Sequence, residues 1–262
     1  MAAPEIRFDD GAAYERMMGG FSRLAGTVFL DWLAPPPGWR WIDVGCGSGA
    51  FTELLAERTA PAELQGIDPS EGQLAFARRR PVARVAEFRP GDAQALPFPD
   101  DRFDAAIMAL VIFFVPDPAK GVAEMARVVR PGGTVAAYAW DLLGGGFPLE
   151  PIRAELRAMG IDPPLPPCPG ASRADALREL WAAAGLEAIE SRPISVQRVF
   201  ADFEDFWTTS LLSSSIGATV AAMAAADVER LKERVRAHLP ADAGGRIACG
   251  AHANAIRGRK TK

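Results

Sequence analysis

Three glycines at alternate positions, Gly45, Gly47 and Gly49, follow directly on an apolar run that ends at Val44, and a helix-forming stretch begins behind them. Glycine lets a backbone turn tightly and lets a ligand approach where a Cβ would obstruct it, so strand, glycine loop and helix in that order make a nucleotide loop. The spacing is G-x-G-x-G, whereas dinucleotide enzymes use the wider G-x-G-x-x-G that aims helix amides at a pyrophosphate. Asp68 closes the next apolar run, about 20 residues past the loop, where a carboxylate accepts hydrogen bonds from a ribose. Together the two features locate a nucleoside. Taken singly, the triplet also reads as a tight turn, and Asp68, before Pro69 and Ser70, as a helix N-cap.

Such residues need strands that end along one edge of a sheet. The sequence predicts strands at Arg40 to Val44, Leu64 to Ile67, Val82 to Phe88, Phe103 to Leu110 and Thr134 to Trp140, alternating with helices at Ala50 to Arg58, Glu71 to Arg80 and Pro118 to Arg130. Alternation of this kind implies parallel pairing through right-handed crossovers. A Gly- and Pro-rich excursion over 144–170 surrounds a short helix at Pro151 to Met159, and a helix at Ser172 to Ala184 follows. Further strands are expected at Leu186 to Val199 and Arg246 to Arg257, with helix in two or three pieces over 202–239. The expected fold is α/β, a doubly wound, mostly parallel seven-stranded sheet with an N-terminal helical segment and a C-terminal helical insertion acting as lid.

The strings Trp41-Ile-Asp-Val-Gly-Cys-Gly-Ser-Gly49, Gly66-Ile-Asp-Pro-Ser70, Gly91-Asp-Ala-Gln-Ala-Leu-Pro-Phe98, Phe103-Asp104 and Arg127-Val-Val-Arg-Pro-Gly-Gly133 occur in this order. They resemble the ordered motifs of class I, Rossmann-like S-adenosylmethionine-dependent methyltransferases, of the small-molecule type that includes the quinone-biosynthesis and generic type 11 enzymes. The likeness covers residues 10–140 and extends to the rest in outline. It implies a single methyltransferase domain over 1–262, with an N-terminal helical cap at 10–34, a cofactor-binding core at 40–140, the excursion at 144–170 and a helical lid insertion at 202–239. It also implies S-adenosylmethionine as cofactor and in-line transfer of its methyl group to a small-molecule acceptor, whose O, N or C nucleophile is not identified.

Carried over position by position, the resemblance implies that Asp43, Gly45, Cys46, Gly47 and Gly49 wrap the methionine part of the cofactor. Asp68 then holds both ribose hydroxyls and Pro69 packs on the adenine. Asp92 accepts from the exocyclic amine, and the Ala93 amide donates to a ring nitrogen. Met108 and Ala109 line the cofactor near its sulfur. Tyr14 and Arg23 contact the amino-acid end, Arg23 by pairing with the carboxylate; an exposed helical arginine is otherwise merely solvated.

Methyl transfer draws mainly on proximity and alignment, and a base is needed only where the acceptor must lose a proton. Asp141, Tyr138 and His238 are the nearest groups, but each reads more readily as something else, a turn residue, sheet packing and a helix-end cation in turn, so no catalytic residue is assigned. A thiol beside a helix N-terminus, as at Cys46, is activated in some enzymes; in the resembling family this position only tolerates small residues. Phe200, Phe203, Phe206, Trp207, Leu211 and Leu212 form an apolar cluster that reads as a pocket wall or, preferably, as core packing.

A length of 262 residues suits one domain with additions, and 49% hydrophobic and 24% charged residues with a net charge of -4 disfavour a generic electrostatic grip on nucleic acid. The basic end, Arg257, Arg259, Lys260 and Lys262, reads as a solvated terminus. No apolar run reaches the ~18 residues of a membrane span and no signal-peptide layout opens the chain, so a cytoplasmic protein is expected. Cys46, Cys168 and Cys249 form no CxxC pair, and His238 and His252 share no ligand spacing with them, so neither disulfide nor metal is expected. The oligomeric state is not legible. Two other classes keep most of these features: a nicotinamide-dependent oxidoreductase, which would want the longer glycine spacing and leave residues 91–93 without a role, and a catalytically silent adenosyl-cofactor-binding protein. Nucleic-acid methyltransferases are further disfavoured by the absence of an Asn/Asp-Pro-Pro-aromatic string after the fourth strand.

Overall fold

Apolar runs bounded by glycine and proline become buried strands. The computed structural model describes residues 15–261, and in it β1 (Arg40–Val44), β2 (Glu63–Asp68), β3 (Glu87–Pro90), β4 (Phe103–Ala109), β5 (Val129–Trp140), β6 (Leu186–Phe200) and β7 (Ile247–Lys260) form one sheet in the order β3-β2-β1-β4-β5-β7-β6. The first five strands pair in parallel, and β7 runs antiparallel to both of its neighbours. Trp41, Ile42 and Val44 of β1 and Ala105 to Met108 of β4 are wholly buried, as strands covered on both faces must be.

Helix α1 (Gly20–Leu33) precedes β1; α2 (Ala50–Thr59), α3 (Glu71–Ala77), α4 (Pro118–Val128), α5 (Glu150–Ala158) and α6 (Ala174–Ala183) connect the strands up to β6, and α7 (Phe203–Ser210), α8 (Ile216–Ala221) and α9 (Ala225–His238) lie between β6 and β7. From β1 the chain steps outward to β2 and β3, then returns to β4 and steps the other way to β5. Right-handed crossovers in opposite directions put α2 and α4 on opposite faces. Strand order therefore reverses between β1 and β4, whose carboxyl ends flank a crevice of the kind in which open α/β sheets take ligands.

Local chemistry fixes the helix starts. Asp117 accepts the Lys120 amide at 3.0 Å with Pro118 in the first turn of α4, and Asp202 accepts the Asp205 amide at 2.8 Å at the head of α7. The strand expected over 82–88 holds only at its end. Pro81 instead opens a short 3-10 turn, Pro81–Arg84, which delays β3 to Glu87. Three of the four residues of the basic end are not solvated chain: Arg257, Arg259 and Lys260 belong to β7, with Arg257 paired to Glu190 at 2.9 Å and Lys260 to Asp101 at 2.7 Å, while Lys262 lies outside the described residues.

Phe200 at the end of β6 pairs in register with Ile247 at the start of β7; between them α7 folds back on the N-terminal segment and α9 packs against α5. Phe200, Phe203, Phe206 and Trp207 are buried. The Phe200 ring lies 5.3 Å from Phe206 and 6.3 Å from Phe21 of α1, which meets Trp140 edge-on at 6.4 Å. This aromatic cluster is core packing, and of its six members only Leu212 is exposed and Leu211 half-buried. Among the described residues no helix is long and apolar enough to cross a membrane.

Candidate functional site

The loop after β1 is held from below by β2 and has room above it at Gly47. The amides of Gly45 and Cys46 both donate to the Ile67 carbonyl, at 2.7 and 3.0 Å. Gly45 has φ 78°, and a Cβ built there would lie 2.4 Å from a methyl of Val111, so both backbone geometry and space demand glycine. At Gly47, φ 51°, a Cβ would meet nothing nearer than the Gln73 amide oxygen at 4.0 Å. Among the described residues, then, the crown of the loop has room above Gly47.

Asp68 ties this loop to the next element. Its Oδ2 accepts the Gly47 amide at 2.9 Å and its Oδ1 accepts the Ser70 amide at 2.8 Å. The N-cap of α3 is Ser70, whose hydroxyl accepts the Gln73 amide at 3.3 Å, and not Asp68. Burial raises the Asp68 carboxyl above its ordinary pKa, against the pull of the two amides. A carboxylate oxygen has two acceptor sites, so each oxygen retains one beyond its backbone partner.

Asp43, one residue before the end of β1, is wholly buried. Its Oδ2 accepts the Thr52 hydroxyl of α2 at 2.6 Å, whereas Oδ1 has no partner. Burial pushes this carboxyl up to about 7 despite the Thr52 hydrogen bond, and the charge of Asp68 adds to the rise. Cys46 is buried beside these two acids. Burial first, then Asp43 and Asp68, push its thiol well above the usual range, which is the opposite of nucleophile activation.

On the β3 side, Asp92 is exposed and curls into a small turn. Its Oδ1 accepts the Gln94 amide at 2.8 Å, and the Gln94 side-chain nitrogen lies 3.2 Å from each carboxylate oxygen. Ala93 is half-buried and Pro69 exposed. On the β4 side, the Met108 side chain is fully buried, its terminal carbon 3.2 Å from where a Cβ on Gly121 would stand, so it packs under α4. Ala109 retains some exposure, and it is Val111 that meets the glycine loop.

The structure does not bring Arg23 to this loop. Its guanidinium pairs with Glu57 at 2.7 Å in an exposed ion pair, and Glu57 lies eight residues, roughly 12 Å of helix, beyond Gly49. Tyr14 lies outside the described residues. The arginine that does hold the loop is Arg80, which the sequence reading missed. It donates to the Ser48 carbonyl at 2.7 Å and to Glu53 at 2.9 Å, and also pairs with Glu15 of the N-terminal segment. In sequence it is one of three consecutive arginines, Arg78 to Arg80, and only their phase relative to a distant glutamate distinguishes it.

The three groups nearest to general-base duty have structural surroundings. Asp141 accepts the Gly144 amide at 2.9 Å in a turn. Tyr138 is wholly buried, 4.8 Å from Phe29 and 5.6 Å from Phe51 between ring centres. His238 ends α9 in the open, 3.1 Å from Glu155.

Residues 42–137 match the family model described as a methyltransferase domain. The chain is 36% identical over 143 residues to an uncharacterized protein of Mycobacterium tuberculosis, covering 54% of this chain and 52% of that one. It is 32% identical over 153 residues to the 2-phytyl-1,4-naphtoquinone methyltransferase of Synechococcus elongatus, covering 56% of this chain and 64% of that enzyme. The matches thus span less than two thirds of these relatives' own length. Among solved structures, phosphoethanolamine N-methyltransferase 2 of Haemonchus contortus in complex with S-adenosyl-L-methionine superposes with a TM-score of 0.60 at 19% identity, covering 97% of this chain and 58% of that one. Residues 42–137 thus match the methyltransferase-domain model, and the seven-stranded sheet that carries them has the Rossmann-like fold of the solved methyltransferase.

Proposed function

We propose that this chain transfers a methyl group from S-adenosylmethionine to a small-molecule acceptor. The observation that carries the reading is the pair of buried acids at the glycine loop: Asp68 with an acceptor site left on each oxygen, and Asp43 with Oδ1 unpartnered. Buried polar atoms are seldom left unpaired, and Asp43 Oδ1 suits an ammonium group or a water bridging to one. Two acids beside the loop favour a ligand that brings positive charge, as a sulfonium amino acid does, and disfavour the pyrophosphate of a nicotinamide cofactor.

When bound, the cofactor supplies a methyl group on a sulfonium sulfur, already activated for displacement. The protein's own residues then have positioning work to do. Asp68 holds the ribose hydroxyls, Asp92 and the Ala93 amide meet the adenine edge, and Pro69 covers an adenine face. The open backbone at Gly47 receives the methionine part, with Gly45, Gly49 and Cys46 keeping the loop compact. Ala109 and the backbone at Met108 close the β4 side. The segment at 10–34, including Tyr14, serves as a cap and that at 202–239 as a lid, excluding water and selecting the acceptor. The net charge of -4 supports a small molecule rather than nucleic acid as that acceptor, and a cytoplasmic location accompanies the reading.

Calorimetric titration of the purified chain with S-adenosylmethionine, S-adenosylhomocysteine and NADH tests it. Saturable binding of both adenosyl ligands is expected, followed by methylation in an acceptor screen that includes naphthoquinones, the class named for the Synechococcus relative. Binding of NADH alone would overturn the reading, and adenosyl binding with no turnover across the screen would favour a silent cofactor-binding protein.

A further inference from the structure

Buried arginines are as a rule paired. Arg153 of α5 is not. Its side chain belongs to a residue only 6% exposed, its Nε is buried without a hydrogen-bond partner, and its guanidinium rests on the Phe147 ring at 5.5 Å from the centroid. No carboxylate pairs with it among the described residues. Burial lowers its pKa, and nearby Glu150 only partly opposes this.

The acids of α5 are committed elsewhere. Glu150 pairs with Arg157 through Oε1, while its Oε2 is buried without a partner and makes no ion pair with Arg153. Glu155 pairs with Arg234 and His238 of α9; two residues along a helix is a turn of ~200°, so Arg153 faces the flank away from α9. That flank carries one surplus positive charge.

The helix that carries it lies toward the carboxyl-end edge of the sheet. The loop leading from β5 to α5 is laced to β7 by the Asp141 amide on the His252 carbonyl at 3.0 Å and the His252 amide on the Gly146 carbonyl at 2.9 Å. The Cys249 thiol reaches the Pro148 carbonyl at 3.3 Å. After α5 the chain returns to the end of β4, where the Cys168 amide donates to the Phe113 carbonyl at 3.0 Å. Helix α5 thus sits beside the carboxyl ends of β4, β5 and the start of β7.

We propose that Arg153 forms a subsite for an anionic oxygen group, a carboxylate or a phosphate ester, on the methyl acceptor. The proposal rests on the methyl-transfer reading for the word acceptor, but not for the anion. A planar guanidinium offers paired donors to either group, and a site built around it discriminates against neutral analogues because they leave the charge unpaired. An unpaired buried charge is also a stability cost retained for function.

Thermal melts of wild type and Arg153→Met with increasing inorganic phosphate or benzoate, against sodium chloride, test the subsite. For wild type the anion that fits raises Tm with the logarithm of its concentration above Kd, by roughly 3 °C at ten times Kd, and which of the two does so separates phosphate from carboxylate. Arg153→Met shows no such rise beyond general salting-out, and without anion it melts at or above wild type. Should that variant not fold, Arg153→Lys, which retains the charge and loses the fork, gives a reduced rise. A wild type indifferent to both anions, or a variant that responds as wild type does, would each overturn the subsite. Titration of the same samples with S-adenosylmethionine separates the two readings: cofactor binding without an anion response removes only the subsite, and an anion response without cofactor binding removes only the methyl-transfer reading.

Discussion

The Gly47 amide meets the Asp68 carboxylate at 2.9 Å, so the crown of the glycine loop is held by the side chain proposed to engage the ribose. Loop shape and ligand recognition are thereby coupled through one residue.

Asp68→Ala removes the tie to Gly47, the tie to Ser70 and the ribose acceptor together. Hydrogen bonds to a charged group contribute ~1.5–3 kcal/mol each when well formed, and partial access of water to these amides should hold the stability loss to about 2 kcal/mol. Affinity for S-adenosylmethionine should fall beyond calorimetric detection. Asp68→Asn, which turns one amide NH2 toward a backbone N–H, should lie between. Cofactor binding by Asp68→Ala equal to wild type would remove Asp68 from the site.

Asp43 gives a pH dependence with a definite sign. Its carboxyl rises from 3.8 to about 7 on folding, so between those values the folded chain retains a proton that the unfolded chain has lost. The contribution of this group to stability is full below 3.8 and is lost as pH rises through about 7. At 1.36 kcal/mol per pKa unit the span is on the order of 4 kcal/mol. Urea midpoints of Asp43→Asn against wild type should differ in slope over this window and run parallel above it; parallel profiles throughout would return the carboxyl to its ordinary range. Ligation of an ammonium group would draw the proton off, so heats of cofactor binding near pH 7 should vary with the ionisation enthalpy of the buffer.

Gly45→Ala meets two obstacles, the positive φ and the Val111 methyls. A left-handed conformation costs a non-glycine residue about 1–2 kcal/mol and overpacking a further ~1–3 kcal/mol. Introducing Val111→Ala should relieve the second cost and leave the first, giving a coupling energy of at least about 1 kcal/mol in a double-mutant cycle. Additive effects would mean that Val111 moves aside freely.

The three cysteines should separate by alkylation. Cys46 is buried with its thiol pushed up, and Cys249 is buried with its thiol pushed up to about 11, while Cys168 is half-buried in the excursion. Iodoacetamide at pH 8 followed by mass spectrometry should modify Cys168 first and the other two only on unfolding. Rapid labelling of Cys46 in the folded protein would contradict its assignment as a space-filling thiol.

The strands were legible because a parallel strand covered on both faces is a continuous apolar run between turn residues. Arg40 to Val44 is found with its expected bounds, whereas Pro81 hides a 3-10 turn inside a run that looks extended. The glycine loop and Asp68 were legible because their partners lie within one β-α-β unit. Arg23 and Arg80 were not: each pairs with a glutamate that only tertiary packing brings near, and composition cannot tell which arginine of which helix is in phase with it. The orphaned oxygen of Asp43 and the isolation of Arg153 are likewise absences of contact, which leave no mark in local sequence.

Phe200 and Ile247 form one rung of the β6-β7 ladder, and all of 201–246 departs and rejoins there. Closing a loop costs free energy that grows only with the logarithm of its length, so the rung sets almost no limit on what is spliced into it. Descent could therefore replace the roof while leaving the floor intact, and a chimera joined at these two residues should inherit its donor's acceptor preference together with this chain's cofactor affinity.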